Sequence, residues 1–183
     1  MSVTALRLVR EDRELERAAV GDDDAFAALI RQHESMVFSI AWHVLRDRTL
    51  AEDVAQEVFL QLYRDLQTIE SGDHLVFWLR RVASHRCIDA LRRRQILPVP
   101  LDEAGEIGGE AATRDLLLER RIRNVVATLP SQQRVALALR YQEDLDPSDI
   151  ADITEQPLNT VKSHLRRALA TLRAELGSGK GDQ

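Results

Sequence analysis

Residues 157–172 read PLNTVKSHLRRALATL, and their reading decides the architecture. Val161, Leu165, Ala168 and Leu172 recur at the spacing of one helical stripe. At about 100° per residue, the opposite face carries Asn159, Ser163, Arg166 and Arg167, flanked by Lys162 and Arg173. No acid interrupts residues 160–173. A helix with an apolar back and a cationic, hydrogen-bonding front suits the major groove of DNA. Taken alone, it suits a solvated basic face equally well. The preceding residues add weight to the first reading. Asp146-Pro147-Ser148-Asp149 supplies an N-cap, a proline at the first helical position and an acid three residues after the cap. The short helix it opens carries Ile150, Ala151 and Ile153, and Thr154-Glu155-Gln156-Pro157 turns into the basic helix. A short helix, a tight turn and a second helix form a helix-turn-helix.

Upstream, Leu116, Leu117, Ile122, Val125, Val126 and Leu129 predict a helix from about Thr113 that ends before Pro130. Residues 131–141 predict the next, with Val135, Leu137, Ala138 and Leu139 apolar. Residues 95–112 contain Pro98, Pro100, Gly105, Gly108 and Gly109 among acids, with no hydrophobic period. They read as a linker and a domain boundary.

In the N-terminal half, residues 1–12 read as loosely structured and 14–20 as a short helix stopped by Gly21. Phe26, Leu29, Ile30, His33, Val37, Ile40 and Val44 predict a helix from Asp24 to about Leu45, with Asp22–Asp24 favourable at its positive end. Thr49-Leu50-Ala51-Glu52 has the form of a capping box. The helix it would open buries Val54, Val58, Phe59, Leu62 and Leu66. Its other face carries Glu52, Asp53, Gln56, Glu57 and Gln61, which by itself is an ordinary solvated face. Residues 67–74, QTIESGDH, read as a loop. A third long helix spans about 75–94, with Leu75, Trp78, Leu79, Val82, Ala83 and Ala90 on one face. Arg81, His85 and Arg92 line another, beside Arg80 and Ser84. No strand pattern or repeat interrupts this series, so the fold class is all-α: two small helical domains joined by a flexible linker.

The net charge of −5 argues against coating nucleic acid by bulk electrostatics, yet the charges are segregated. Residues 78–95 hold six arginines against one acid, Asp89, whereas 143–155 hold six acids and no Lys or Arg. Local basic stripes on an acidic chain suit DNA binding that depends on a second partner. Aromatics are only 4%, so base-stacking platforms are few. The lone cysteine, Cys87, excludes an internal disulfide and a cysteine-rich zinc site. The first seventeen residues show no signal-peptide pattern, and no run approaches the roughly 18 apolar residues of a membrane span. No cofactor and no membrane insertion are expected, and the expected compartment is the cytoplasm.

Four motifs in order resemble one family. They are AEDVAQEVFLQLY (51–63), WLRRVASHRCIDALRRR (78–94), LPSQQRVALALRY (129–141) and DIADITEQPLNTVKSHLRRAL (149–169). The chain resembles the extracytoplasmic-function (ECF) sigma factors, small two-domain subunits of bacterial RNA polymerase. The resemblance covers about residues 15–176. It implies a region 2 domain over 13–94, a linker over 95–112 and a region 4 helix-turn-helix domain over 113–176. It further implies that Glu52, Asp53, Gln56 and Glu57 dock on core polymerase. Thr68, Ser71 and Asp73 would belong to the loop that captures a base flipped from the −10 element. Arg80, Arg81, Ser84, His85 and Arg92 would read and hold the opened −10 DNA. Thr160, Lys162, Ser163, His164, Arg166 and Arg167 would face the −35 duplex. The linker would thread toward the polymerase cleft, its acids mimicking RNA charge. The implied partners are core RNA polymerase, promoter DNA and a cognate anti-sigma factor.

There are departures from the family pattern. His85 stands where asparagine is commonest, and His164 where arginine often stands. Asn159 replaces a glycine, at a turn where asparagine tolerates a left-handed or capping conformation.

Two other classes compete with this reading. A helix-turn-helix regulator acting without polymerase would leave the acidic helix and the 78–94 block unexplained. An enzyme would need a constellation that is not visible. His85 and Cys87 are two apart on a helix and do not face each other, and His33 and His43 are singletons.

Overall fold

A computed structural model describes the backbone of residues 3–96 and 114–177 and most of their side chains. Every regular element among them is a helix. These are α1 (Val3–Ala19), α2 (Asp23–Leu45), α3 (Arg48–Asp65), a 3-10 turn (Leu66–Thr68), α4 (Gly72–Ile96), α5 (Arg114–Thr128), α6 (Ser131–Tyr141), α7 (Pro147–Thr154) and α8 (Leu158–Gly177). The linker reading over 95–112 lies outside the described residues, apart from the last turn of α4.

Helix α2 is the centre of the N-terminal bundle and packs on α1, α3 and α4. Its apolar stripe, Leu29, Val37, Ile40 and Val44, is fully buried against Val54, Val58 and Leu62 of α3 and Leu75 and Leu79 of α4. Burial of a side chain of this size contributes about 1.5–3 kcal/mol each, which is why the periodic faces set the bundle. The ends are fixed by local chemistry. Asp22 caps α2 by accepting from the Ala25 N–H at 3.0 Å, and Arg17 of α1 pairs with its other oxygen at 2.6 Å. Those two contacts hold its carboxyl below the usual range. Gly21 turns the chain between α1 and α2 at φ 94, where a side chain would be strained.

In the C-terminal half, α7 and α8 form the helix-turn-helix, with α5 and α6 packed on α8. Val161 and Ala168 are buried, with Leu165 and Leu172 half-buried beside them. The two halves are not separate beads. One continuous core runs from α1–α4 into Val135, Ala138, Leu139, Ile150, Ile153 and Val161. Arg134 staples the join: Nε donates to the Leu129 carbonyl at 2.8 Å, Nη2 to that of Ala127, and Nη1 reaches that of Val44 on α2 at 3.4 Å. It thereby satisfies carbonyls at the end of α5 that the helix leaves unpaired.

Several expectations are corrected. The N-terminal helix begins at Val3, not near Glu14, and it docks through a buried carboxylate, Glu11, as well as through Leu15 and Ala18. The capping box at Thr49 does not form. Asp47 is the cap, accepting from the Leu50 N–H at 3.0 Å, and Thr49 lies inside α3. The 67–74 loop shrinks to 69–71, since the 3-10 turn takes one side and α4 starts at Gly72. The left-handed residue of the helix-turn-helix is Glu155 (φ 54), which caps α7, while Asn159 sits inside α8. Asp146 takes the cap position of α7 but makes no cap hydrogen bond and instead pairs with Arg140 at 3.2 Å.

Candidate nucleic-acid interface

Three surfaces carry the predicted residues. The first is on α8. Its apolar stripe faces α5, α6 and α7, which turns the front outward. Lys162, Arg166 and Arg167 are exposed, and Thr160, Ser163 and His164 are half-buried beside them. Among the described residues, no carboxylate lies within ion-pair distance of Lys162, Arg166 or Arg167. This face is therefore a free cationic surface on the second helix of a helix-turn-helix, the geometry that enters a major groove. His164 is held differently. Its Nδ1 is covered and unpartnered, and burial together with Arg167 lowers its pKa from the ordinary 6.5. It is neutral at pH 7 and offers a hydrogen bond rather than a charge.

The second surface is on α4, and here the predicted cations are occupied. Arg80 donates through Nε (3.1 Å) and Nη2 (2.9 Å) to Oε2 of Glu143, which follows α6. Arg81 Nη2 donates to Glu155 at 2.5 Å, and His85 Nε2 lies 3.8 Å from the same carboxylate. An open cleft of about 330 Å³ continues this seam, lined by His85, Ile88, Asp89, Arg92, Gln132 and Thr154. Arg92 is exposed there, with Asp89 3.7 Å away. Glu143, between α6 and α7, and Glu155, in the turn of the helix-turn-helix, thus cover Arg80, Arg81 and His85 of α4. Ser84 departs from its expected place. It is fully buried, with Oγ unpartnered, because α4 is covered by α6 and α7 as well as by its own bundle. In this closed arrangement it does not reach DNA. Thr68 and Asp73 are exposed, but Ser71 is spent as the cap of α4, its Oγ accepting from the His74 N–H at 3.2 Å.

The third surface is on α3. Glu52, Asp53 and Gln56 are exposed, and Glu57 is half-buried, 3.4 Å from Arg86. Glu52 also pairs with Arg48 one turn back at 2.8 Å. Leu60 and Tyr63, both 59% exposed, continue the same face and are absent from the sequence reading. Their signal is there to be found: apolar residues at i+4 and i+7 from Gln56 fall on the polar side of the helix, not on its buried stripe. Tyr63 is steadied edge-on by Phe26, with ring centroids 5.1 Å apart.

Cys87 on α4 is fully buried, and burial pushes its thiol up to about 12. It stays protonated at neutral pH and is no nucleophile. Among the described residues, no three of His, Cys, Asp and Glu gather as a metal-ligand set, and no helix is long and apolar enough to cross a membrane.

Comparison with known proteins identifies the family. Residues 29–96 match Sigma-70 region 2 and residues 119–172 match Sigma-70, region 4. The ECF RNA polymerase sigma factor SigW of Bacillus subtilis is 26% identical over 90% of this chain and 95% of its own. SigK of Mycolicibacterium vanbaalenii, also an ECF RNA polymerase sigma factor, is 30% identical over 91% and 89%. The RNA polymerase sigma-H factor of Pseudomonas aeruginosa is 30% identical over 86% and 90%. In fold, the chain resembles CnrH, solved with the cytosolic domain of CnrY (TM-score 0.68, 20% identity, 92% of this chain and 98% of that one). It also resembles the sigma factor RpoE of Bartonella quintana, solved with the anti-sigma factor NepR (TM-score 0.66, 21% identity, 86% and 98%). Both sigma regions are present in order on one all-α fold, and relatives align over about nine-tenths of this chain; the chain belongs to the extracytoplasmic-function sigma factors, the RNA polymerase subunits that direct promoter-specific transcription initiation.

Proposed function

We propose a division of labour along the chain: residues 13–94 dock on core polymerase and take the −10 element, residues 113–176 read the −35 element, and 95–112 join them. On α3, Glu52, Asp53, Gln56 and Glu57 meet the polymerase, with Leu60 and Tyr63 supplying the apolar centre that a polar rim needs. On α8, Thr160, Lys162, Ser163, Arg166 and Arg167 contact −35 bases and phosphates, and His164 hydrogen-bonds at the flank. Thr68, Asp73, Arg80, Arg81, His85 and Arg92 hold the opened −10 strand. Unstacking a base costs a few kcal/mol, and a cationic helix beside a loop pocket offsets that cost.

The observation that carries this reading is the contrast between two basic helices: the front of α8 is free of acids, whereas Arg80 and Arg81 of α4 are paired with Glu143 and Glu155. The closed form is then the resting state of the free chain. It must open before α4 meets DNA, and docking on polymerase selects the open form and makes DNA binding bivalent. The chain does no chemistry of its own and needs no cofactor; polymerase makes the RNA. It works in the cytoplasm and is restrained by a cognate anti-sigma factor, in keeping with its likeness in fold to a sigma factor solved with an anti-sigma factor. Run-off transcription from a genomic promoter library, with core polymerase plus this chain, tests the whole reading. Products that depend on the chain should share a two-element promoter, and no core-dependent product from any template would sink it.

A further inference from the structure

We propose that α1, which lies outside the match to region 2, is a positioning strut for the −10 loop, with Asp12 as the residue that sets the loop's geometry. The proposal rests on the reading of residues 68–74 as the base-capturing loop.

Most ties within the loop are local. Thr68 Oγ1 donates to the Asp65 carbonyl at 2.7 Å, and the Ile69 N–H donates to the Leu66 carbonyl at 3.2 Å. The Glu70 N–H donates to Nδ1 of His74 at 3.2 Å, and the His74 N–H donates to Ser71 Oγ. The bond from the Gly72 N–H is different. It donates to Oδ1 of Asp12, sixty residues away, at 2.7 Å. Gly72 is the first residue of α4, so this N–H is one of the donors a helix leaves unpaired. A carboxylate there makes a charge-assisted bond and complements the helix dipole. The loop's exit angle onto α4 is therefore set from another helix.

Asp12 can do this only if α1 is itself fixed, and the neighbouring residue fixes it. Glu11 is 2% exposed, and its carboxylate is shared between two side chains of α2. His33 Nε2 lies 2.7 Å from Oε1, and Gln32 Nε2 donates to Oε2 at 2.8 Å. His33 is as deeply buried as Glu11, so this anchor is shielded from water. The packing leaves little slack at the loop. A Cβ on Gly72 would lie 3.1 Å from Cδ and 3.2 Å from Cγ of Glu11, so any larger residue would have to push the anchored acid aside. A buried anchor on α2, a one-residue step along α1 and a bond to the loop form one rigid chain of contacts.

The test uses holoenzyme and a promoter carrying 2-aminopurine in the non-template −10 strand, which brightens when the base unstacks. Asp12→Ala should slow the fluorescence rise about ten-fold, the worth of one hydrogen bond to a charged group. Assembly with core and binding of a −35 duplex should stay at wild-type levels. Asp12→Asn keeps the acceptor oxygen and should restore most of the rate, which a general loss of stability would not allow. A loop variant, Thr68→Ala with Asp73→Ala, runs in parallel and should also slow the rise. If it slows while Asp12→Ala remains at wild-type rate, the strut is refuted and the loop reading survives. If Asp12→Asn is as slow as Asp12→Ala, the hydrogen bond is not the cause and the proposal fails. If the loop variant itself is silent, the loop reading falls and takes the strut with it.

Discussion

Replacing Glu143 and Glu155 with glutamine should open the seam and raise the affinity of the free chain for single-stranded −10 DNA. Two bonds of unequal worth are changed. Arg80 and Glu143 are 22% and 9% exposed, and the guanidinium makes two charge-assisted bonds to one carboxylate oxygen. Bonds of this kind contribute roughly 1.5–3 kcal/mol, and the glutamine would keep a neutral acceptor, so a loss of about 1.5 kcal/mol is expected. Arg81 and Glu155 are 42% and 54% exposed, and solvent screening limits that pair to about 0–1 kcal/mol. Together they come to about 2 kcal/mol, or some 30-fold in the ratio of closed to open forms. While the closed form dominates, apparent affinity scales with the open fraction, so DNA binding should tighten by about the same factor. Fluorescence anisotropy of a labelled −10 non-template oligonucleotide, at fixed salt, reads this directly. The substitutions also remove negative charge, which alone favours DNA. Asp149→Asn with Asp152→Asn changes the net charge equally at exposed positions of α7 and serves as the control. Equal affinities for the seam variant and the control would refute the latch.

The other predictions are independent of the latch. Leu60→Asp or Glu57→Lys should abolish holoenzyme on a sizing column while leaving the helical circular dichroism unchanged, because neither side chain belongs to the core. Arg166→Ala and Arg167→Ala should each weaken −35 duplex binding, and the salt dependence tells their roles apart. Loss of a phosphate contact flattens the slope of log K against log salt by about 1, whereas loss of a base contact relaxes sequence discrimination by about 1–3 kcal/mol. Burial lowers the pKa of His43 and of His164 below 6.5, so the unfolded chain binds more protons than the folded chain just below that pH. Stability should therefore hold above pH 7 and decline as pH falls through 6.5. Urea midpoints at about pH 7.5 and 5.5 should differ less in His43→Gln than in wild type. Cys87, raised to about 12 by burial, should react with iodoacetamide only when α4 opens, at a rate far below that of a free cysteine in native buffer and rising steeply with denaturant at fixed pH.

Local signals are legible wherever one element carries its own punctuation. Helix α6 runs Ser131–Tyr141, as its Pro-Ser start and apolar run predict, and the stripe of α8 follows from its period. A reading by hydrophobic period starts α1 late because one of its docking residues, Glu11, is a carboxylate, which such a count treats as exposed. The start of α3 is ambiguous in sequence because Asp47 and Thr49 both qualify as caps, and only the bond to Leu50 separates them. Ser84 reads as a member of the basic face because it is one turn from Arg80, but part of its cover comes from α6 and α7, far along the chain. The seam is the clearest case. Six arginines and six acids stand in view as separate blocks, and nothing local says that they meet across 63 and 74 residues.

On the proposed division of labour, that seam makes two competitors share one set of cations. A substitution on α4 that strengthens its grip on the promoter also strengthens its grip on Glu143 and Glu155, so promoter affinity and self-restraint cannot be tuned separately through Arg80 or Arg81. Salt does not treat the competitors alike. Binding to a phosphate backbone releases a whole atmosphere of counterions and weakens steeply as salt rises, whereas a single half-buried ion pair is screened much less. Rising ionic strength would therefore tilt the contest toward the acids, and a cell that concentrates its salts would push this protein toward the arrangement in which Arg80 and Arg81 hold Glu143 and Glu155.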